Sequence, residues 1–186
     1  MNLYGSLLSP FVRHCRIALI QSGLEWNMNE VDNDASAKAS PSKKVPYFEG
    51  EDIFLTDSSS ILKYIRNKSG KDFMADAQEY DLYCLANTLA DSTLNLFLLE
   101  KDGLTPENSG YLKRQQSRVE SGLDALNAAA VTEGDLNDAQ LRIACYLDWA
   151  LFRERIDIAN HQALNDLLVH ANTVAGFQET NPRNAA

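Results

Sequence analysis

The stretch Leu3-Tyr4-Gly5-Ser6-Leu7-Leu8-Ser9-Pro10-Phe11-Val12-Arg13 runs on through Arg16-Ile17-Ala18-Leu19 to Gly23 and changes character halfway. Residues 2–8 read as a short strand. Ser9 is a natural helix N-cap, because its hydroxyl can accept a bond from a first-turn N–H. Pro10 then occupies the first helical position, where its missing N–H costs nothing. Phe11, Val12, Cys15, Ala18 and Leu19 fall on one face of the helix that follows, and Gly23 supplies the left-handed residue that ends it. A strand that passes directly into a capped helix is the opening of an α/β unit.

Working outward from that stretch, residues 26–31 suit a second strand. Residues 33–43 are polar and rich in Ser and Lys, and read as a loop with at most one irregular helical turn. Two short β runs, 45–48 and 53–56, are joined by Glu49-Gly50-Glu51-Asp52, a hairpin signal. A helix starting at Asp57-Ser58 buries Ile61, Leu62 and Ile65. The order over 1–70 is therefore β-α-β-(α)-β-β-α, with 71–76 as a linker. From residue 77 to 186 the signal is helical almost throughout, with helices expected over 77–101, 107–131, 137–155 and 161–174. Asn137 with Gln140 three residues on forms a capping box, and Leu136 with Leu141 holds the positions of a hydrophobic staple.

The chain has 186 residues, enough for one large domain or two small ones with a sizeable core. A formal net charge of −9 argues against nucleic acid or an anionic membrane as partner, since both require a basic face. The three cysteines, Cys15, Cys84 and Cys145, are an odd number at no redox or zinc spacing, which fits reduced thiols in a reducing compartment. No secretory leader and no membrane-length apolar run is read from the sequence, so the expectation is a cytoplasmic protein. His14, His161 and His170 stand apart from one another and from acidic clusters, and are read as surface or packing residues. Arg13 is read as a solvated helix residue. No metal is expected.

Three local motifs occur in a telling order: Leu3 to Arg13 above, Ser40-Pro41-Ser42-Lys43-Lys44-Val45-Pro46, and Leu55-Thr56-Asp57-Ser58-Ser59-Ser60-Ile61-Leu62-Lys63-Tyr64-Ile65. On these motifs the chain resembles the cytosolic glutathione transferases, specifically their bacterial, serine-type members. The resemblance implies an α/β thioredoxin-like N-terminal domain over 1–70, followed by an all-α helical-bundle C-terminal domain over 77–186. It also implies a glutathione site. Ser9 would carry the hydroxyl that stabilises the thiolate, with Tyr4 and Ser6 as alternative donors. Val45-Pro46 would form a cis bond that presents the Val45 backbone to the cysteinyl part of glutathione, and Lys44 would meet the glycine carboxylate. Ser58 would bind the γ-glutamyl carboxylate while Asp57 attracts its ammonium.

Each residue also has a plainer reading. Ser9 and Asp57 are ordinary N-caps, and Lys44 is a solvated loop lysine. Where glutaredoxin-like relatives carry a Cys-Pro-x-Cys dithiol, this chain has Ser9-Pro10-Phe11-Val12, so thiol–disulfide exchange is not expected there. The expected function is conjugation of glutathione, as cosubstrate, to an apolar electrophilic small molecule, in a homodimer. A non-catalytic binding or regulatory protein of the same fold, or a glutathione-dependent isomerase, are the alternatives.

Overall fold

The computed structural model describes residues 1–130 and 134–185. The first part of the chain runs β1 (Asn2–Gly5), α1 (Pro10–Ser22), β2 (Asn27–Glu30), α2 (Asn33–Ala39), β3 (Tyr47–Glu49), β4 (Phe54–Leu55) and α3 (Ser58–Lys68). The strands form one sheet in the order β2-β1-β3-β4, with β1 and β2 parallel and the other pairs antiparallel. This is the thioredoxin-like arrangement expected from the sequence.

Strand alternation divides the side chains between two faces. Leu3, Gly5 and Phe48 point towards α1 and α3. A Cβ on Gly5 would lie 2.4 Å from Val12 Cγ2, so only glycine lets α1 sit this close. The Phe48 ring lies 5.6 Å from that of Tyr64 on α3. Leu3, Ile17, Leu19, Phe48, Ile61, Leu62 and Ile65 are fully buried, each contributing roughly 1.5–3 kcal/mol by the usual transfer scale. On the opposite face Tyr4 stacks on Tyr47 with ring centroids 4.6 Å apart.

The helical part comprises α4 (Ala77–Glu100), α5 (Gly110–Ala129), α6 (Asp138–Phe152) and α7 (Gln162–Ala171). α4 packs against α5 and α6, and α7 against α5 and α6. Gly122 allows the close approach of α5 to α4, since a Cβ there would lie 2.4 Å from Leu89 Cδ1. The α6 start is the expected capping box: Gln140 N–H donates to Asn137 Oδ1 and Asn137 N–H to Gln140 Oε1, both at 2.9 Å. Inside, the Tyr146 hydroxyl lies 3.0 Å from Thr93 Oγ1, and burial pushes its phenol up to about 12. Among the described residues, no helix is long and apolar enough to cross a membrane.

Several boundaries differ from the sequence reading. β1 stops at Gly5 rather than Leu8, because Ser6 to Ser9 form a turn closed by Ser9 N–H on Ser6 O at 3.1 Å. The loop read over 33–43 contains α2, capped by Asp32, whose Oδ1 accepts the Ala35 N–H at 2.7 Å. The helix read over 107–131 begins at Gly110, since Asn108 Oδ1 accepts the Thr105 N–H in a preceding turn; residue 131 lies outside the described residues. α6 ends at Phe152 instead of 155, where Glu154 takes a left-handed φ of 55°.

Contacts group the chain into two compact units, Asp76–Ala171 and Met1–Ala75 together with Asn172–Ala186. The final segment thus belongs with the sheet, whereas the sequence reading carried the helical domain from 77 to 186. The reason is Arg13. Far from being solvated, it is 1% exposed. Its guanidinium lies 4.0 Å from the Phe177 ring and donates to Phe177 O at 2.8 Å and Thr180 Oγ1 at 3.3 Å. Phe177 is fully buried. His14 is likewise fully buried, a packing residue of α1.

Candidate functional site

The strand register brings the three motifs to one end of the sheet. β1 and β3 are antiparallel with Tyr4 opposite Tyr47, so the segment leaving β1 and the segment entering β3 emerge together. β3 and β4 are antiparallel with Phe48 opposite Leu55, which puts the exit from β4 at the same end. Ser6 to Ser9, Lys44 to Pro46, and Thr56 to Ser58 are therefore neighbours in space though far apart in sequence. The first and third open helices α1 and α3, so two helix N-termini, each carrying partial positive charge, face this end of the sheet.

Ser9 is the N-cap of α1, half-buried, with its Oγ accepting the Val12 N–H at a long 3.4 Å. A hydroxyl used in this way still has its proton to donate. Ser6 Oγ accepts the Leu8 N–H at 3.3 Å. The Tyr4 hydroxyl is committed elsewhere: it donates to Glu49 Oε2 at 2.7 Å, on the sheet face turned away from α1. That bond, followed by partial burial, raises its phenol above the ordinary value.

The Val45-Pro46 bond is cis. Pro46 is buried, Val45 half-buried and Lys44 exposed. Lys43, just before them, adopts a left-handed φ of 51°. Asp57 caps α3, its exposed side chain accepting the Ser59 N–H at 2.8 Å, while Ser58 is buried beneath it. The Cys15 thiol donates to Ser58 O at 3.9 Å and so ties α1 to the start of α3.

Two residues had no assigned role in the sequence reading. Ser42 Oγ donates to Thr56 O at 3.4 Å and shares a 2.8 Å hydrogen bond with Ser40 Oγ, which links the loop before β3 to the turn before α3. Serines flanking a proline between strands are the signal that could have pointed to them. The left-handed Lys43 has no sequence signal, since glycine or asparagine would be expected at such a position.

Residues 3–72 match the family model described as glutathione S-transferase, N-terminal domain. The chain is 29% identical over 171 residues to the GST-like protein YibF of Escherichia coli strain K12, covering 82% of this chain and 83% of that one. Among solved structures, a glutathione S-transferase of Methylobacillus flagellatus KT with glutathione bound superposes with a TM-score of 0.86 at 19% identity, covering 97% of this chain and 98% of that one. A glutathione transferase family member of Pseudomonas fluorescens Pf-5, also with bound glutathione, gives 0.85 at 20% identity over 97% and 98%. The family model lies on the unit that holds the three converging motifs, and the chain shares the glutathione transferase fold along almost its whole length.

Proposed function

We propose that the chain binds glutathione at this end of the sheet and transfers it to an apolar electrophilic small molecule. The observation that carries the reading is the meeting of the two helix N-termini of α1 and α3 with the backbone of Val45-Pro46. Glutathione has two carboxylates, an ammonium and a thiol strung along an extended tripeptide. The start of α3 offers N–H groups and the Ser58 hydroxyl for the γ-glutamyl carboxylate, with the Asp57 carboxylate beside them for the ammonium. Val45 offers a strand-like backbone for the cysteinyl unit, and Lys44 a cation for the glycine carboxylate.

The thiol would then lie towards Ser9. A thiol with an ordinary pKa near 8.5 is only a few per cent thiolate at pH 7, and each unit of depression corresponds to about 1.4 kcal/mol. The Ser9 hydroxyl proton and the α1 N-terminus stabilise the thiolate without any charged side chain. The thiolate attacks the electrophilic carbon, a C–S bond forms, and the leaving group departs with its electron pair, or the adjacent atom of an activated double bond takes a proton. The same reading extends to a cytoplasmic homodimer, in keeping with three cysteines that form no disulfide.

Calorimetry tests the reading directly. Glutathione is expected to bind at micromolar to millimolar Kd, about −4 to −8 kcal/mol. Asp57→Ala or Ser58→Ala should weaken binding by roughly 1–3 kcal/mol, with the melting temperature followed alongside because each substitution also disturbs the start of α3. No heat at millimolar glutathione with the unaltered chain would remove the reading. Turnover with an aryl halide should consume glutathione into a thioether; glutathione recovered unchanged after turnover of an isomerisable substrate would indicate an isomerase instead.

A further inference from the structure

The β3–β4 ladder pairs Glu49 with Phe54 and Phe48 with Leu55. Past Phe48 and Leu55, towards the end of the sheet where the three motifs meet, the two segments leave the ladder. One runs back through Pro46 and Val45 to Ser40, the other forward through Thr56 to Asp57 and Ser58. A bridge of side chains joins them. Ser42 Oγ donates to Thr56 O at 3.4 Å and lies 2.8 Å from Ser40 Oγ. A hydroxyl has one proton, so with the Ser42 proton on Thr56 O the proton between the two serines belongs to Ser40. The bridge therefore runs from Ser40 to Ser42 to Thr56, each bond polarising the next.

Both ends of the bridge are anchored. Ser40 is buried, and its N–H donates to Ser36 O at 2.9 Å to close the end of α2. Its carbonyl accepts the Lys43 N–H at 2.9 Å, which closes a tight turn over Pro41 and Ser42 and leads into the left-handed Lys43. At the other end, Thr56 precedes the Asp57 cap of α3, where Ile61 N–H donates to Asp57 O at 3.0 Å. Ser42 itself is exposed, so its hydroxyl fills no part of the core. Its two hydrogen bonds go instead to the two segments assigned to the cysteinyl and γ-glutamyl parts of glutathione.

We propose that Ser42 is a positioning residue: it fixes the separation between the Lys44-Val45 backbone and the start of α3, and through that separation selects the γ-linked tripeptide. The γ-linkage puts two more carbon atoms between the glutamyl Cα and the cysteinyl nitrogen than an α-linkage does, about 2.5 Å of extra reach. Two subsites held at one separation favour the ligand whose reach matches it, because binding at one raises the effective concentration at the other. With the Ser42 hydroxyl removed the separation fluctuates, and both the gain for glutathione and the discrimination against a shorter ligand fall. This role rests on the glutathione reading, and the two fail in different ways.

Calorimetry of the full chain under reducing conditions, with glutathione and with its α-linked isomer α-Glu-Cys-Gly, tests it. Wild type should bind glutathione about tenfold or more tighter than the isomer. Ser42→Ala should weaken glutathione about fivefold or more and narrow the gap to about threefold or less. Its melting temperature should change little, as for other exposed side chains. Ser42→Thr keeps the hydroxyl and should recover both the affinity and the gap. Equal binding of the two tripeptides by wild type, unchanged glutathione affinity in Ser42→Ala, a weaker affinity with the gap still as wide, or no recovery in Ser42→Thr overturns the positioning role. Heat from wild type with an unmoved Ser42→Ala removes this role alone, whereas no heat from glutathione with wild type removes the glutathione reading and this role with it.

Discussion

Ser9 Oγ is 3.4 Å from the Val12 N–H, a long cap bond that occupies a lone pair and leaves the hydroxyl proton available. Cap and thiolate donor are therefore compatible roles, and they separate on mutation. If Ser9 stabilises the thiolate, Ser9→Ala should raise the thiol pKa of bound glutathione by about one unit or more, while glutathione affinity changes little. A cap alone would lose roughly 0.5–2 kcal/mol of stability and leave the thiol titration unmoved. Ultraviolet thiolate absorbance against pH, with saturating glutathione, decides the matter; coincident curves would make Ser6 the next donor to test. Tyr4 is the weaker alternative because its hydroxyl already donates to Glu49. Ser9, Asp57 and Asn137 were legible as caps because a cap is a local hydrogen bond between near neighbours. The burial of Arg13 was not, because its partners Phe177 and Thr180 are more than 160 residues away.

Among the elements, α6 shows most clearly where pattern reading works and where it stops. Its start was recognisable from Asn137 and Gln140, whose two reciprocal hydrogen bonds satisfy N–H groups that would otherwise be lost inside the unit. Its burial was not. By spacing, Ile143, Ala144, Leu147, Ala150 and Leu151 mark a single core face, yet Asp138 to Leu147 are buried without interruption. A helix surrounded by neighbours has no amphipathic period to read. Asn137→Ala should therefore cost about 1–2 kcal/mol, lowering the melting temperature by roughly 2–8 °C in a chain of this size. Asn137→Ser should keep most of the stability, since serine caps nearly as well. Equal melting temperatures for wild type and Asn137→Ala would mean that packing alone sets the start of α6.

At the level of the whole molecule, the segment Asn172–Ala186 groups with the sheet-bearing unit. Phe177 is fully buried there, its carbonyl and ring both engaged by Arg13, and Gly176 lies against Ile20. Phe177→Ala should cost about 3–5 kcal/mol, because it opens a cavity and strips the cover from a buried guanidinium. A fall in melting temperature on the order of 10 °C is expected by circular dichroism, with faster amide exchange along α1. A melt within a degree or two of wild type would show that the segment decorates the unit without stabilising it.

The sequence by itself determined what depends on short range: the βαβαββα order, the helix caps, the hairpin at Glu49-Gly50-Glu51-Asp52, and the three motifs on which the family resemblance rests. Tertiary structure decided the rest. It returned the chain's last segment to the sheet and buried Arg13. It also gathered Phe97, Lys101 and Arg153 from two helix ends into one cluster. The physical reason is the same in each case. Caps and turns are satisfied by residues a few positions away, whereas burial and charge pairing depend on which distant surfaces meet, and no local period records that.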